Sequence, residues 1–524
     1  MTAELLTLGG VGFEVQAPIA PSAPTRADIA CFVGYVERRA GPIPEPLRRW
    51  LGERGWLAGP YARPATAAEL RDVPVPVESW AAFDRLFAWE RRPVVGGDAL
   101  ATTYLGAAVR SFFAQGGRRC YVVRVGDPLP LGRPRVDRTA LVEPLLGIRD
   151  GVPAGPEDRA AWGGIRHLHG LPDVSFVCVP DLPDLLGADP RPAPAPPAPP
   201  PRRPVFEECA RRELEEVAPT TAPPLGVARM GAAEYTEWAR TLNAIGRHLA
   251  QTLREVQVIA AVPLPTLDEP LEHALPRLLA REFLNTSLDG GAEPTGLGTS
   301  FVQLAYPWAA TPGAAALPEG VEPPDGILAG IIARVTLLGG AYRSAAGASL
   351  DDVSDLWPRL TRADLAADDG RERHLTVLPD RISTLGHSPS GLRLLSDTTP
   401  ALIEAYRPAA VHRLVSLIVR GVRRVGEALV WESSGEQLWA EVRRRVDVIL
   451  EGLWEMGALD GASSAEAYAV RCDRSTMTAE DIDSGRLIVE VSFTASAPIE
   501  RITVTLAMDE SGQVSLLGPG EAAA

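Results

Sequence analysis

The sequence predicts an α/β protein with an α+β region towards its C-terminal end. Three apolar runs lack the alternation of a half-exposed strand and are typical of interior strands in a parallel sheet covered on both faces; they are Val174–Val179, Val256–Val262 and Phe301–Tyr306. A helix-to-strand unit precedes them, with an apolar-faced helix at Tyr104–Gln115 and a strand at Cys120–Val125. Helices that alternate with buried strands pack on the faces of one sheet, so we expect a layered α/β domain.

The remaining elements of the first half follow from similar patterns. Apolar residues predict a strand at Val11–Gln16, ahead of a proline-rich spacer, and a buried strand at Ile29–Val36. Three aromatic residues on one face predict a short helix at Glu78–Phe87, and a longer helix is predicted at Ala233–Leu253. The stretch Asp189–Pro204 consists largely of Pro and Ala, which favours an extended polyproline-type excursion on the surface.

The last hundred or so residues predict two helices followed by two strands. The helices are a basic one at Arg407–Leu429 and an amphipathic one at Gly435–Met456. Alternating apolar residues predict strands at Arg486–Phe493 and Ile502–Met508. The spacer between them contains Pro498, which favours an extended departure over a tight hairpin. We therefore expect the terminal strand to have no local partner and to pair with another chain, as in a polymer subunit.

Composition excludes several classes of function. The 524 residues carry a net charge of -15 with a pI near 5.1, which disfavours broad binding to nucleic acid or to an anionic membrane. All 52 basic residues are Arg, so a phosphate-loop Lys and a Schiff-base Lys are both excluded. The five cysteines are scattered without a Cys-x-x-Cys pair, which indicates buried thiols in a reducing compartment. We expect no cofactor and no metal. Because no export signal or apolar span is evident, we also expect no direct membrane insertion, and we expect assembly in the cytoplasm.

Several segments, in order along the chain, jointly resemble the contractile tail sheath proteins of phages and phage-tail-like injection systems. Together they cover most of the chain outside about 130 to 230. The segments are Phe32-Val33-Gly34 with Gly41-Pro42, Val77–Trp80, Tyr104–Val125, Ala305–Trp308, Pro323–Arg334, Leu394–Asp397, Val430–Glu432, Val470–Asp473 and Thr476–Leu487.

The resemblance implies a structural protein and not an enzyme. Subunits of that family stack as rings into a six-start helical sheath around an inner tube, between a baseplate and a cap, and the sheath shortens to drive the tube forward. Their terminal arms add strands to the sheets of neighbouring subunits. The arm residues implied here are Val11, Phe13, Val15, Ile502, Val504 and Leu506. The particle is expected to assemble in the cytoplasm and to form part of a virion tail or of a released device.

The resemblance also implies a division into domains. A subtilisin-like layered α/β domain is expected at 101–390, with the proline-rich insertion at 189–204. An α+β assembly domain is expected from both chain ends, at 26–100 and 391–497, and extended arms at 1–25 and 498–524.

Arginines on the two C-terminal helices are candidates for contact with an acidic tube. They are Arg413, Arg420 and Arg424 on the first helix and Arg443 and Arg444 on the second. An ordinary solvated face is the alternative interpretation for both groups.

Two other interpretations of the function are open from the sequence. One is a specialised sheath-like ring or a cap or baseplate paralogue. Another is a subtilisin-like hydrolase, because Gly298-Thr299-Ser300 resembles a nucleophile segment, although a strand and not a helix is predicted to follow it. His167 and His169 have no third ligand at a suggestive spacing, so we interpret them as a surface turn and not as a metal site.

Overall fold

The structure is a computed structural model. It describes residues 27–59, 62–148, 155–189, 225–266, 297–360, 379–429, 435–484 and 486–496, and the backbone alone at 6–8, 11–13, 149, 152–153, 378, 502–508 and 514–517.

The strands of the described residues are numbered in chain order. They are β1 (Leu6–Leu8), β2 (Val11–Phe13), β3 (Ala30–Tyr35), β4 (Pro74–Val77), β5 (Arg92–Pro93), β6 (Leu100–Ala101), β7 (Cys120–Gly126), β8 (Ile148–Arg149), β9 (Val152–Pro153), β10 (Phe176–Cys178), β11 (Gln257–Ala261), β12 (Val302–Tyr306), β13 (Trp308–Ala310), β14 (Asp355–Trp357), β15 (Ser383–Ser388), β16 (Gly391–Leu394), β17 (Tyr468–Arg471), β18 (Leu487–Phe493), β19 (Ile502–Met508) and β20 (Val514–Leu517).

The α-helices of the same residues are numbered likewise. They are α1 (Glu45–Glu53), α2 (Pro64–Ala68), α3 (Trp80–Leu86), α4 (Tyr104–Ala114), α5 (Arg135–Thr139), α6 (Val142–Leu146), α7 (Leu182–Leu186), α8 (Ala232–Thr252), α9 (Asp325–Gly339), α10 (Leu378–Arg381), α11 (Ala409–Leu429), α12 (Glu436–Glu455), α13 (Ser464–Ala467) and α14 (Ala479–Asp483).

An eight-stranded sheet forms the centre of the α/β domain. Its order is β16-β15-β12-β11-β10-β3-β7-β4. The six strands from β15 to β7 run parallel, and the two outermost strands, β16 and β4, are antiparallel to their neighbours. The three apolar runs predicted as interior strands are β10, β11 and β12, which lie side by side and are buried. Burial on both faces explains why these strands lack alternation.

Helices cover both faces of this sheet. Cys31 and Val33 of β3 pack in one core with α8, whereas Phe32 packs in the opposite core with α4 and α9. Helices α4 and α9 lie very close together: a Cβ atom placed on Gly326 would be 2.3 Å from the backbone oxygen of Ala108. Only glycine fits at such a contact, so Gly326 allows α9 to pack this closely against α4.

A smaller α+β domain follows at the C-terminal end. Its antiparallel sheet has the order β17-β18-β19-β20. The buried sides of α11 and α12 pack against β17 and β18 in a separate core that contains Val446, Leu450, Val491 and Phe493. The predicted helices and the alternating strand at Arg486–Phe493 are confirmed by this domain.

Two sequence-based expectations about the ends of the chain are wrong. Strand β19 has a partner in its own chain, because it pairs antiparallel with β18 over its whole length, from Phe493↔Ile502 to Leu487↔Met508. The region 26–100 does not belong to the assembly domain, since β3 and β4 are strands of the large sheet. Ala27, by contrast, contributes to the core of the C-terminal domain. Strand order depends on contacts between distant segments, which local patterns do not encode.

The expectation of a surface turn at His167 is also wrong. This residue lies in a short 3₁₀ helix at Gly164–Gly170 and is buried, with its Nε2 atom 3.1 Å from Asp72 Oδ1. The proline-rich insertion lies outside the described residues, apart from Asp189. Among the residues that the structure describes, no helix is long and apolar enough to cross a membrane.

Candidate assembly surfaces

Helix α11 joins the two domains by lying across the amino ends of neighbouring strands in the parallel sheet. Its polar side chains contact residues that immediately precede three neighbouring strands. Arg420 Nη2 donates to the backbone oxygen of Val174 at 2.9 Å and to Ser175 Oγ at 3.1 Å, just before β10. Arg423 forms an ion pair with Glu255, just before β11. These contacts place α11 along the amino ends of β10 and β11.

A similar contact links α11 to β12. His412 Nδ1 lies 3.1 Å from the hydroxyl of Ser300, and its ring packs edge-on against Phe301. Burial, helped by the charge of Arg413, lowers the pKa of His412 to about 3, so the ring is neutral in the folded protein. The contact therefore needs no charge on the histidine.

A buried ion pair fixes the start of α11. Arg413 Nη2 lies 2.6 Å from Asp397 Oδ2, and both side chains are at most 3% exposed. Asp397 also accepts from the Ala345 N–H and from Gln303 Nε2, at 2.8 and 2.9 Å. Burial opposes ionisation of Asp397, but Arg413 and these hydrogen bonds hold the pKa of its carboxyl below the ordinary value.

Further donors of the Arg413 guanidinium bond to backbone oxygens. Nε donates to the Ala341 oxygen and Nη2 donates to the Arg343 oxygen, both at 3.1 Å. A buried ion pair of this kind is sensitive to loss of one partner, because the other charge is then left without compensation in a dry site. Arg413 and Asp397 thus hold α11 against the α/β domain.

The predicted exposed basic stripe on α11 is wrong at two of its three positions. Arg413 and Arg420 are 3% and 5% exposed and are engaged inside the subunit. Arg424 is half-buried. A signal in the sequence was available, since Leu417 and Val419 add apolar residues beyond a single stripe, and a helix that is apolar on most sides is a buried one.

The basic candidates on α12 are placed differently. Arg443 and Arg444 are exposed, and Arg444 Nη2 lies 2.8 Å from Glu441 Oε1. Farther along the same helix, Asp447 and Glu451 are exposed as well. The outer face of α12 therefore carries arginines near its middle, two of them paired with Glu441, and carboxylates farther along. Contact of these arginines with a tube stays a prediction.

The arm candidates are described by backbone position only. Val11 and Phe13 lie on β2, which pairs with β1 in a separate two-stranded hairpin, and Val15 lies outside the described residues. Ile502, Val504 and Leu506 lie on β19, between β18 and β20. Exchange of these strands between subunits stays a prediction.

Both edges of the large sheet are closed to a further strand. On one edge, Leu350 N and Ala348 O pair with β16 at 3.1 and 3.0 Å. On the other edge, β4 contains Pro74 and Pro76, which have no N–H to offer to an added strand. The edges of the C-terminal sheet are not closed in this way: among the described residues, no strand pairs with the outer side of β17 or of β20.

The residues that suggested hydrolase chemistry are not arranged as a nucleophile with its base. Ser300 precedes strand β12, not a helix that would present a nucleophile, and its neighbour His412 has too low a pKa to act as a base at neutral pH. Within the described residues, His412 Nε2 is buried without a hydrogen-bond partner, so no carboxylate orients the ring. The described residues also contain no cluster of three or more His, Cys, Asp or Glu suited to a metal ion.

The crevice where an open α/β sheet commonly binds a ligand is filled. The strand order changes direction between β3 and β10, and the carboxyl ends of these strands normally flank such a site. Here the Asp181 carboxylate accepts from the Tyr35 N–H at 2.8 Å, and a Cβ atom on Gly34 would lie only 2.2 Å from it. Burial raises the pKa of Asp181 to about 7. The protein's own side chain thus occupies this position.

Comparison with known proteins places the fold. No protein-family model matches the chain, and no curated protein matches it either. Among solved structures, the chain is similar to one from the contracted helical sheath of the anti-feeding prophage (AFP), with 19% identity, 95% of this chain and 98% of that chain covered, and a TM-score of 0.51.

Two further structures give similar results. A chain from the contracted sheath complex of PVC, an extracellular contractile injection system, is 17% identical, with 94% and 96% of the two chains covered and a TM-score of 0.52. A chain from the contracted AFP baseplate is 17% identical, with 95% and 97% covered and a TM-score of 0.56. The protein therefore has the contractile-sheath fold that the AFP and PVC structures represent.

Proposed function

We propose that the chain is a structural subunit of the contractile sheath of a phage-tail-like injection system. The observation that carries this proposal is the structural likeness to the AFP sheath chain over 95% of this chain and 98% of that chain, since it includes both the α/β domain and the C-terminal domain. In this role, subunits stack as rings around an inner tube, between a baseplate and a cap. The stacked rings shorten and drive the tube through a target envelope.

Strand exchange at the C-terminal sheet would connect the subunits. The large sheet offers no free edge, whereas β17 and β20 leave an outer side open in the described part of the chain. In the assembled sheath, β19 of one subunit would take the place beside β18 of a neighbour, with the same register as in the isolated chain. Such an exchange keeps the β18–β19 pairing of the isolated chain, with one of the two strands supplied by another subunit.

The joint between the domains supports motion at the arms instead of within the subunit. Helix α11 is tied to the α/β domain through Arg413, Arg420 and Arg423, each of which has a partner there. Separation of the domains would break all of these ion pairs and hydrogen bonds together. The subunit would move as one body while the exchanged strands act as flexible connections.

A tube contact is proposed for the exposed arginines of α12. Arg443 and Arg444 are exposed, with Arg444 also paired with Glu441, and Arg424 is a secondary candidate because it is half-buried. Exposed charges of this kind steer association and set orientation more than they stabilise a fold. We propose assembly in the cytoplasm and release as part of a particle, without a role in chemistry or in nucleic-acid binding.

A second candidate function has one observation in its favour. The chain is similar to a chain from the contracted AFP baseplate, with a TM-score of 0.56, as well as to sheath chains. A specialised ring beside the baseplate would share the fold but would polymerise to limited length only.

Electron microscopy of the protein co-expressed with its tube partner tests the proposal. A sheath subunit should give long striated sleeves around the tube, and a specialised ring should give single discs. A protein that remains monomeric in the presence of tube and baseplate proteins would contradict both functions.

A further inference from the structure

A surface groove lies beyond the β4 edge of the large sheet. It has a volume of about 320 Å³ and is bordered by α1, β4 and α3. Its lining is mainly apolar and rich in proline, with Trp50 half-exposed at its side. The principal lining residues are Pro44, Pro46, Leu47, Trp50, Pro76 and Leu86.

The neighbouring strand limits what this groove can bind. An added β-strand would need hydrogen-bond donors on the outer side of β4, but Pro74 and Pro76 have no N–H. A polyproline II segment has no such need, because its backbone makes no regular hydrogen bonds and it is recognised through packing against aromatic and apolar surfaces. The groove therefore suits a proline-rich ligand better than a strand.

The chain itself carries a segment of that chemistry. Nine of the fifteen residues from 190 to 204 are proline, and Glu207 and Glu208 follow shortly afterwards. Arg85 is exposed at the groove, so an acidic pair beside the prolines has a charged partner there. The apolar, proline-rich chemistry of the segment thus matches the groove, and its charged residues, Arg191, Arg202, Arg203, Glu207 and Glu208, have both Glu78 and Arg85 as possible partners there.

The segment is also long enough to reach the groove. It leaves the described fold at Asp189, which accepts from the Arg135 N–H at 2.6 Å, on the carboxyl side of the sheet. The groove lies on the amino side, since Arg119 directly precedes β7. Strand β7 has seven residues, so the sheet is about 23 Å long there, at about 3.3 Å per residue. Fifteen residues of polyproline II span roughly 45 Å, at about 3.1 Å per residue.

We propose that the groove lined by Trp50 and Pro76 is a polyproline-binding site occupied by prolines of the segment 190–208 of the same chain. In this arrangement the proline-rich insertion is held against the outer surface of the α/β domain. The open sides of β17 and β20 stay free for other contacts.

A labelled peptide with the sequence of residues 190–208 provides the probe. The protein is prepared with residues 190–208 replaced by a Gly/Ser linker of equal length, and binding is followed by fluorescence anisotropy. The peptide should bind this linker variant, and the intact chain should bind it at least tenfold more weakly, because a tethered segment competes at an effective concentration in the millimolar range.

Two substitutions in the linker variant make the result specific. Trp50→Ala should weaken peptide binding at least tenfold, whereas Trp357→Ala, which truncates an exposed tryptophan on β14, should leave it unchanged. Thermal unfolding followed by circular dichroism verifies that each variant is folded. Failure of the linker variant to bind, or equal binding by the Trp50→Ala form, would overturn the site. Equally tight binding by the intact chain would overturn its occupation by the chain's own segment.

Discussion

At the scale of single residues, the joint between the domains depends on a buried pair of opposite charges. Arg413 and Asp397 form a bidentate ion pair that is excluded from solvent. Buried pairs of this kind often contribute little net stability compared with apolar residues of the same size. Their removal one at a time is nevertheless costly, and the difference between the two effects is measurable.

Asp397→Ala should lower the free energy of unfolding by about 3–5 kcal/mol, because Arg413 would lose its carboxylate inside the protein. The double variant Asp397→Leu with Arg413→Met should be clearly more stable than this single variant. Urea unfolding followed by circular dichroism measures both. Glu441→Ala, which removes a carboxylate from the surface of α12, is the matched control and should leave the unfolding midpoint nearly unchanged. An equal midpoint for Asp397→Ala and the control would show that the Arg413–Asp397 pair does not hold α11 against the α/β domain.

His412 makes stability dependent on pH. Its pKa is about 3 in the folded protein, because of burial and the charge of Arg413, and about 6.5 in an unfolded chain. Between these pH values the unfolded state binds a proton that the folded state does not. The free energy of unfolding should therefore fall as the pH drops below about 6.5.

His412→Asn should make this pH dependence shallower, by up to about 1.4 kcal/mol per pH unit between pH 6 and pH 4. Asparagine retains a polar atom that can face Ser300 but does not titrate. Urea midpoints at pH 4.5, 5.5 and 6.5, compared with those of the parent protein, measure the change. Identical slopes for the two proteins would show that His412 is protonated without penalty.

At the scale of elements, the pairing of β18 with β19 is the feature on which assembly depends. In one chain these strands form a complete antiparallel pair with Ser492 opposite Thr503. The same register can form between chains, because an exchanged strand contacts identical residues of a neighbour. Pairing within a free subunit and exchange in a sheath are thus compatible.

The double variant Ser492→Cys with Thr503→Cys distinguishes the two arrangements. Facing Cα atoms in an antiparallel pair lie about 4.5–5.5 Å apart, within the range for a disulfide. Free subunits should form an intrachain bond and run as monomers on a denaturing gel. Sleeves should give a ladder of covalently linked subunits, since each strand then belongs to another chain. Each single-cysteine variant controls for bonds to the native cysteines. Monomers alone from intact sleeves would refute strand exchange.

At the scale of the whole molecule, the charge of the surface determines which partner it attracts. The chain is acidic overall, with a net charge of -15, so an exposed basic pair such as Arg443 and Arg444 is a local exception. Attraction between exposed charges weakens as salt screens them. A tube held in this way should be sensitive both to charge reversal and to ionic strength.

Arg443→Glu with Arg444→Glu should reduce the fraction of sleeves that contain a tube, without a change in folding, because exposed charges affect binding more than stability. The control is Arg48→Glu with Arg49→Glu, which makes the same change in net charge on α1. Counts of filled and empty sleeves in electron micrographs at low and high salt measure the effect. Normal filling by the α12 variant would reduce these arginines to an ordinary solvated surface.

The sequence by itself determined the elements that local chemistry specifies. Runs of apolar residues gave β10, β11 and β12, because interior strands of a parallel sheet are buried on both faces. The helix α4 was equally clear from its apolar face, and the structure shows that Thr103 caps its start and that Gly116, with a φ of +101°, follows its end. The order of motifs along the chain also led to the sheath fold that structural comparison supports.

Only the tertiary structure decided which segments meet. Local patterns did not place β3 and β4 in the large sheet or β19 beside β18, since pairing partners are chosen by contacts between distant segments. The same reason explains why the burial of Arg413 and Arg420 on α11 was not predicted. Arg420 meets Ser175 across 245 residues, so its burial depends on a partner that the helix sequence does not reveal. Whether a charged side chain faces solvent or an internal partner is a property of the packed molecule, because only packing brings the two together.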